Sequence, residues 1–483
     1  MKRLHFLLLA LGLAGTAFSA SAQAPAPPGS ERPNILIILV DDLGYGDLGS
    51  YGHADIRSPN LDRLAEEGMR FTDFYSAAPV CSPARAGFLT GRIPSRIGIY
   101  DWIPPGSDMH LPAKEITVAT LLRRAGYATS MFGKWHLNGA LDSDQPQPDD
   151  HGFDHWFATA GFAMPSHHDP VNFVLNGEEL GPLSGYACQL VTDEAIRWLH
   201  EVRDQDKPFF QYVNYHEPHE AIASPPELVA GYPATQNVNE AEYFANVTNL
   251  DLAVGRLLAA LDDFGLTENT FVLFTSDNGP EMLNRHPQAH RSYGSAGMLR
   301  GKKLQLWEGG IKVPGIVRWP GRVLPGTVST TPVSGIDLLP TLCELAGVRV
   351  PKKIELDGAS MVPALDGKGV NREVPLFWYH FKSWGGPKVV MRRDRWKLAG
   401  YWDGAARLRT DSSTMRPGDL KLIRTAPLVR FELYDLENDP GERTDVAAAE
   451  PVVFKEMRAE MVRLYTEIQG QGHDWRESWL RRW

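Results

Sequence analysis

The sequence predicts an α/β protein built on a large, mixed, mostly parallel sheet flanked by helices, with a small C-terminal α+β region holding an antiparallel sheet. The continuous, β-branched run Asn34–Val40 reads as a strand buried on both faces, and Thr270–Thr275 reads as a further strand. Helical apolar patterns alternate with such runs and stop at glycines, as in Thr117–Ala125 before Gly126 and Glu240–Phe264 before Gly265. From about Asn371 the texture changes to short amphipathic strands, a turn at Glu437–Gly441 and a last helix over Val452–Ile468.

In chain order, residues 1–24 read as an export leader. Lys2 and Arg3 form its basic start, Phe6–Phe18 is an apolar run too short to span a bilayer, and Ala22-Gln23-Ala24 gives a small-x-small cleavage pattern. A Pro-rich linker follows over residues 25–32. Residues 33–370 are expected to form the main domain, and residues 371–483 a C-terminal subdomain. Ser58–Gly68 carries cap, proline and terminal glycine in the right places for a helix, and Phe71–Tyr75 reads as a strand. In Cys81–Arg92, Ser82 reads as the N-cap, Pro83 sits in the first turn and Gly91 ends the helix. That places the Cys81 thiol at a helix start, where the dipole biases a thiol toward its anion and backbone N–H groups suit an oxyanion. Tyr127–Phe132 and Pro208–Val213 read as further strands, and Val191–Val202 as an amphipathic helix.

The 483 residues carry a net charge of −10, which argues against a nucleic-acid partner. No stretch beyond the leader is apolar enough to enter a membrane. The three cysteines, Cys81, Cys188 and Cys343, leave an odd thiol. Cys188 and Cys343 could pair, but nothing in their spacing demands it, and buried single thiols are the plainer expectation.

Four strands end in polar residues: Asp41 and Asp42, Lys134 and His136, His216 and His219, and Asp277 and Asn278. In open α/β sheets ligands bind beyond the carboxyl ends of the strands. Each pair alone is an ordinary turn or cap. As ends of one sheet, Asp41, Asp42, Asp277 and Asn278 supply hard oxygen ligands suited to Ca²⁺ or Mg²⁺ and not to zinc. Lys134 and His136 suit anion binding and proton transfer.

The motif Cys81-x-Pro-x-Arg followed by Leu-Thr-Gly-Arg92 resembles the signature of the sulfatase family, formylglycine-dependent type. Pro33-Asn-Ile-Leu, Asp41-Asp42, Gly133-Lys-Trp-His136, Thr275-Ser-Asp-Asn-Gly279, Glu308-Gly-Gly310 and Leu433–Glu442 follow the family in the same order. Within it the chain looks most like arylsulfatases and N-acetylgalactosamine-6-sulfatases. The resemblance implies an alkaline-phosphatase-like fold and hydrolysis of sulfate monoesters of a sugar or aryl alcohol. It also implies that Cys81 is converted to formylglycine by a formylglycine-generating or an anaerobic sulfatase-maturating enzyme, in a periplasmic or secreted protein. Asp41, Asp42, Asp277 and Asn278 would hold Ca²⁺, while Arg85 and Lys134 would position the hydrated aldehyde. His136 would take a proton from its second hydroxyl. Counting from Phe209-Phe210 puts the sulfate-binding histidine at His219, with His216 in reserve. Counting back from Glu308 puts the lysine at Lys303, although Lys302 directly follows a glycine, as the family's lysine often does. Ser166 and His167 resemble a further substrate contact. Loops at Tyr100–Trp102 and Ser166–Asp169 are expected near a sugar pocket. Two other functions compete: a phosphonate or phosphodiester hydrolase with the same nucleophile, and a non-catalytic binder of sulfated glycans.

Overall fold

Ile35, Ile37 and Leu39 belong to one apolar core, and Leu36, Ile38 and Val40 to another. A strand buried on both faces needs this pattern, and the sheet containing it lies between two layers packed mainly with helices. The computed structural model describes residues 32–403, 415 and 417–475. The expected leader and almost all of the linker lie outside the described residues.

The main sheet has ten strands. Five run parallel side by side, in the order Thr270–Ser276, Asn34–Val40, Phe209–Asn214, Ala128–Lys134 and His155–Thr159. Gly315–Arg318 then pairs antiparallel to Thr270–Ser276, which makes the sheet mixed. Because the five strands share one direction, Val40, Lys134, Thr159, Asn214 and Ser276 all end at the same edge. This is the crevice side on which α/β sheets bind ligands.

A second sheet has four antiparallel strands, Leu376–Tyr379, Val389–Arg393, Trp396–Trp402 and Leu428–Asp435. The closing helix Pro451–Gln469 buries Met457, Met461, Leu464 and Ile468. Among the short amphipathic strands expected after Asn371, the stretch over Arg392–Leu398, which reads as one strand, is a hairpin instead, turning at Asp394 with φ +53°. Phe71–Tyr75 likewise divides into Met69–Phe71 and Phe74–Tyr75. All three cysteines are buried free thiols. No described helix is long and apolar enough to cross a membrane.

The long helix Val238–Asp263 carries a buried acid with a pH consequence. Asp251 accepts hydrogen bonds from the backbone N–H groups of Asn60 (3.0 Å) and Leu61 (2.8 Å), at the start of the helix Pro59–Glu67. Burial pushes its carboxyl up to about 6. A folded-state value above the unfolded one of about 3.9 means that the fold binds more protons between those pH values. Asp251 therefore favours folding most below about pH 4, and this contribution is lost as pH rises through 6. Asp251→Asn is expected to gain stability relative to the parent protein between pH 4 and 7. Denaturant melts at the two pH values measure this, and a constant difference would refute the shift.

Candidate active site

The helix Cys81–Thr90 begins at the cysteine itself, with Val80 as its N-cap, two residues earlier than the sequence suggests. Ser82 does not cap it, because its hydroxyl accepts a hydrogen bond from the Ile103 N–H (3.0 Å). The stop at Gly91 is as expected, with φ +66°. Every residue of this helix is buried, and Cys81 faces the carboxyl edge of the sheet with its Sγ 3.5 Å from Asp41 Oδ1. The helix start does not yield a thiolate. Burial and the adjacent Asp41 carboxylate push the thiol well above its ordinary range.

Asp41 and Asp42 are consecutive, and in an extended chain they would face opposite sides. Asp42 adopts a left-handed φ of +63°, which turns the chain so that both carboxylates enter one site. Asp277 meets them from the neighbouring strand end, its Oδ1 accepting from the Asp42 N–H (3.2 Å). Asn278 donates from Nδ2 to Asp42 Oδ1 (2.6 Å). Its carbonyl oxygen Oδ1 is buried without a hydrogen-bond partner. Asp41, Asp42, Cys81 and His219 offer ligand atoms all within 4.8 Å of one another.

Three buried cations answer these acids. Arg85 donates from Nε (3.0 Å) and Nη2 (2.8 Å) to Asp277 Oδ2, and from Nη1 to the Lys134 carbonyl (3.0 Å). Lys134 donates to Asp41 Oδ2 (2.5 Å), and Lys303 to Asp42 Oδ2 (2.7 Å). The carboxylates still do not share the charge equally. Burial raises Asp41 less than its neighbouring cations, Lys134 foremost, lower it, so it lies well below the usual range. Burial pushes Asp277 up to about 6 and Asp42 well above its usual value. A divalent cation among them would relieve that burden. Three carboxylates and an orphaned amide oxygen form an all-oxygen donor set, which fits Ca²⁺ or Mg²⁺. Asp41, Asp42, Asp277 and Asn278 are the residues that could hold it.

His136, expected to take a proton, and His219, expected to bind sulfate, sit in this shell as neutral imidazoles. His136 has φ +55° and places Nε2 3.1 Å from the Ile103 carbonyl, which fixes the proton there and leaves Nδ1 buried without a partner. Burial and Lys134 push it well below its ordinary value. His219 directs Nδ1 to the Glu220 carbonyl (2.5 Å), so Nε2 carries the lone pair and lies 3.7 Å from Asp42 Oδ2. Burial pushes His219 down to about 4. A cavity of about 330 Å³ opens above Cys81, lined by Trp102, His136, His219, Glu220 and Lys303 among others.

The two open alternatives in the sequence separate here. Lys303 reaches the acids, whereas Lys302 turns away and donates to the Gly294 carbonyl (2.7 Å). His219 lines the cavity, whereas His216 is buried against Thr159 Oγ1 (2.8 Å). Ser166 and His167 are not among the residues lining it. The Ser166 hydroxyl donates to the His168 carbonyl, and His167 is buried beside Asn246. Sequence reasoning missed Glu220, Glu281, Arg285 and His286. Arg285 pairs with Glu281, which lies 3.6 Å from Lys303, and His286 pairs with Glu220. The one signal was position, since Glu281 closely follows Asp277-Asn278 and Glu220 directly follows His219. Phe162 was also missed. It stacks on His219 at 5.1 Å between ring centroids, and its ring lies 5.3 Å from Lys134 Nζ.

The large, mostly parallel sheet with its antiparallel C-terminal companion is of the alkaline-phosphatase-like architecture, and Cys81 lies over an oxygen-rich cluster at its carboxyl edge. The chain belongs to the sulfatase family, whose model matches residues 33–348. A second family model, described as N-sulphoglucosamine sulphohydrolase, C-terminal, matches residues 300–409. The chain is 35% identical to arylsulfatase A of Homo sapiens over 459 residues, covering 88% of this chain and 86% of that protein. It is 35% identical to N-acetylgalactosamine-6-sulfatase of Canis lupus familiaris over 403 residues, covering 77% and 72%. The solved structure of Ps i-CgsB in complex with k-i-k-neocarrahexaose superposes with a TM-score of 0.77 at 27% identity, covering 94% of this chain and 97% of that one. The protein is accordingly a sulfuric ester hydrolase.

Lys303→Ala is expected to lower kcat/KM for a sulfate ester by about 10²-fold or more, the scale of a lost charge-stabilising donor. Lys302→Ala is expected to stay within a few-fold of the parent. Steady-state kinetics of the two variants measures this, and the reverse order would reassign the lysine.

Proposed function

We propose that this chain hydrolyses sulfate monoesters carried on a sugar, with formylglycine formed from Cys81 and Ca²⁺ held by Asp41, Asp42, Asp277 and Asn278. The observation that carries this reading is the buried convergence of three carboxylates, the orphaned Asn278 oxygen and three cations around the Cys81 side chain. Such a site balances a tetrahedral anion against a divalent metal. When bound, the metal offsets charge on the sulfate and holds it in place. The hydrated aldehyde of formylglycine supplies one hydroxyl to attack sulfur and a second whose deprotonation lets sulfate leave.

The chain's own residues account for the rest. Arg85, tied to Asp277 and the Lys134 carbonyl, fixes the floor of the site beneath residue 81. Lys134 and Lys303 direct ammonium groups toward the transferring group and offset the charge developing there. His219 and Lys303 face the cavity from which the alcohol departs; Lys303, an ammonium, is the group placed to protonate it, and His219 joins it only once its Nε2 has taken up a proton. His136, with Nδ1 free to accept, is placed to take the proton of the second hydroxyl. Export is part of the proposal and rests on residues 1–24 of the sequence; maturation by a formylglycine-generating or anaerobic sulfatase-maturating enzyme is also part of it and rests on the Cys81-x-Pro-x-Arg motif.

Mass spectrometry of the Cys81 peptide from protein made in its native host, alongside turnover of sugar sulfates, aryl sulfates and aryl phosphodiesters, tests the reading. The expected result is a Cys81 peptide carrying the aldehyde, preference for a sulfate ester, and loss of activity with a chelator that Ca²⁺ restores. An unmodified thiol in active protein would overturn the nucleophile, and preference for the diester would favour the phosphodiesterase reading.

A further inference from the structure

Two depressions meet at Phe162. One is the cavity over Cys81, where Arg285, Lys303 and Lys382 line the wall together with Asp101 and Glu220, and which takes the sulfate in the reading above. The other, of about 260 Å³, has opposite chemistry: no lysine or arginine lines it, and two exposed carboxylates, Asp142 and Glu179, stand at it. Asn138, itself 1% exposed, also lines it, and its carbonyl oxygen Oδ1 is buried with no hydrogen-bond partner. The rest of the wall is largely apolar, with Leu141 and Val174 contributing. Phe162 and His136 line both spaces, and the half-buried Trp102 ring lies 6.3 Å from the Phe162 ring. An aromatic ridge thus separates an anion-binding space from an acceptor-rich one.

We propose that the second depression is a subsite for an uncharged sugar ring adjoining the sulfated one, so that the substrate is an oligosaccharide whose neighbouring ring bears no sulfate or carboxylate. The inference rests on the sulfatase reading of the Cys81 cavity. The second depression, at about 260 Å³, lies below the roughly 300–1,000 Å³ of a complete small-molecule site, which suits one further ring rather than a second separate ligand. The orphaned Asn138 oxygen and the two carboxylates are acceptors, and sugar hydroxyls are the donors that satisfy them. An anionic ring placed there would meet two like charges with no cation on the wall, a contribution to specificity by repulsion.

The test compares kcat/KM for a sulfated monosaccharide, the same sugar sulfate with a neutral neighbouring ring, and that disaccharide with a second sulfate on the neighbour. The neutral disaccharide is expected to exceed the monosaccharide by about tenfold, and the disulfated one to fall below it at low salt. Ala140→Trp, which fills the second depression, is expected to abolish the gain from the second ring while leaving the monosaccharide rate unchanged. The monosaccharide rate also serves as the control for folding. Asp142→Asn combined with Glu179→Gln is expected to raise the disulfated substrate by several-fold, as is added salt on the parent protein. Equal rates on monosaccharide and neutral disaccharide, or an Ala140→Trp effect equal on both, would overturn the subsite alone. No sulfate release from any of the three sugars would overturn the sulfatase reading and the subsite with it.

Discussion

Cys81→Ala is expected to lose at least about 10⁴-fold in steady-state sulfate release while unfolding at essentially the parent temperature. The loss is large because no other group in the cavity can take the place of residue 81. Lys134 and Lys303 are engaged with Asp41 and Asp42, and both histidines are held as neutral imidazoles. Removing a nucleophile leaves only the contribution of binding and charge stabilisation, the pattern seen when one member of a catalytic set is deleted. Stability should survive because Cys81 is at the first position of its helix and alanine is the best helix former. The small buried void costs little beside the rest of the core. Binding separates the two effects further: the variant should still bind a sulfate ester, because the acids, Arg85 and the lysines remain. Retention of more than a few per cent of activity would remove Cys81 from the chemistry.

Those residues were legible in the sequence for a physical reason. A strand buried on both faces must be continuously apolar, so the first charged pair after it marks where the chain leaves the core. Asp41-Asp42 and Asp277-Asn278 stand at such points, and parallel pairing brings the points together. The cysteine helix was legible from Pro83 and Gly91, though its first residue was not, because Ser82 gives its hydroxyl to a distant loop at Ile103. The choice between Lys302 and Lys303, and between His216 and His219, depends on which way a loop turns, and spacing does not fix that. Leu304 immediately after the lysine pair has φ +66°, a local conformation that no residue preference announces. Glu220, Arg285 and His286 take their place through packing between loops distant in sequence. The depression beside Phe162 exists because the loops around Ile103 and Asn138 meet near the strand end at Thr159, and a one-dimensional pattern does not carry that shape.

Arg85→Met is expected to cost both activity and the fold, and it is the substitution with the largest stability effect in the site. Arg85 is 1% exposed and reaches two carboxylates, with Nη2 2.8 Å from Asp277 and 3.8 Å from Asp41. Removing one partner of a buried ion pair leaves the other charge uncompensated, at roughly 3–5 kcal/mol. Because burial already holds its carboxyl near 6, Asp277 absorbs part of the loss by taking up a proton, so the destabilisation is expected to grow as pH rises above that value. Methionine preserves most of the apolar volume, so the measured loss reports charge and hydrogen bonding more than a cavity. Arg85→Lys should recover less than half of it. A single ammonium cannot make the two contacts to Asp277 and the one to the Lys134 carbonyl that the guanidinium fork makes. The metal reading adds a second expectation. Excess Ca²⁺ should raise the unfolding temperature of Arg85→Met more than that of the parent protein, because the ion offsets the carboxylates that the arginine no longer faces. A chelator should do the reverse. Denaturant and thermal melts with and without Ca²⁺ measure both effects, and an Arg85→Met protein as stable as the parent would show that the three acids do not depend on this cation.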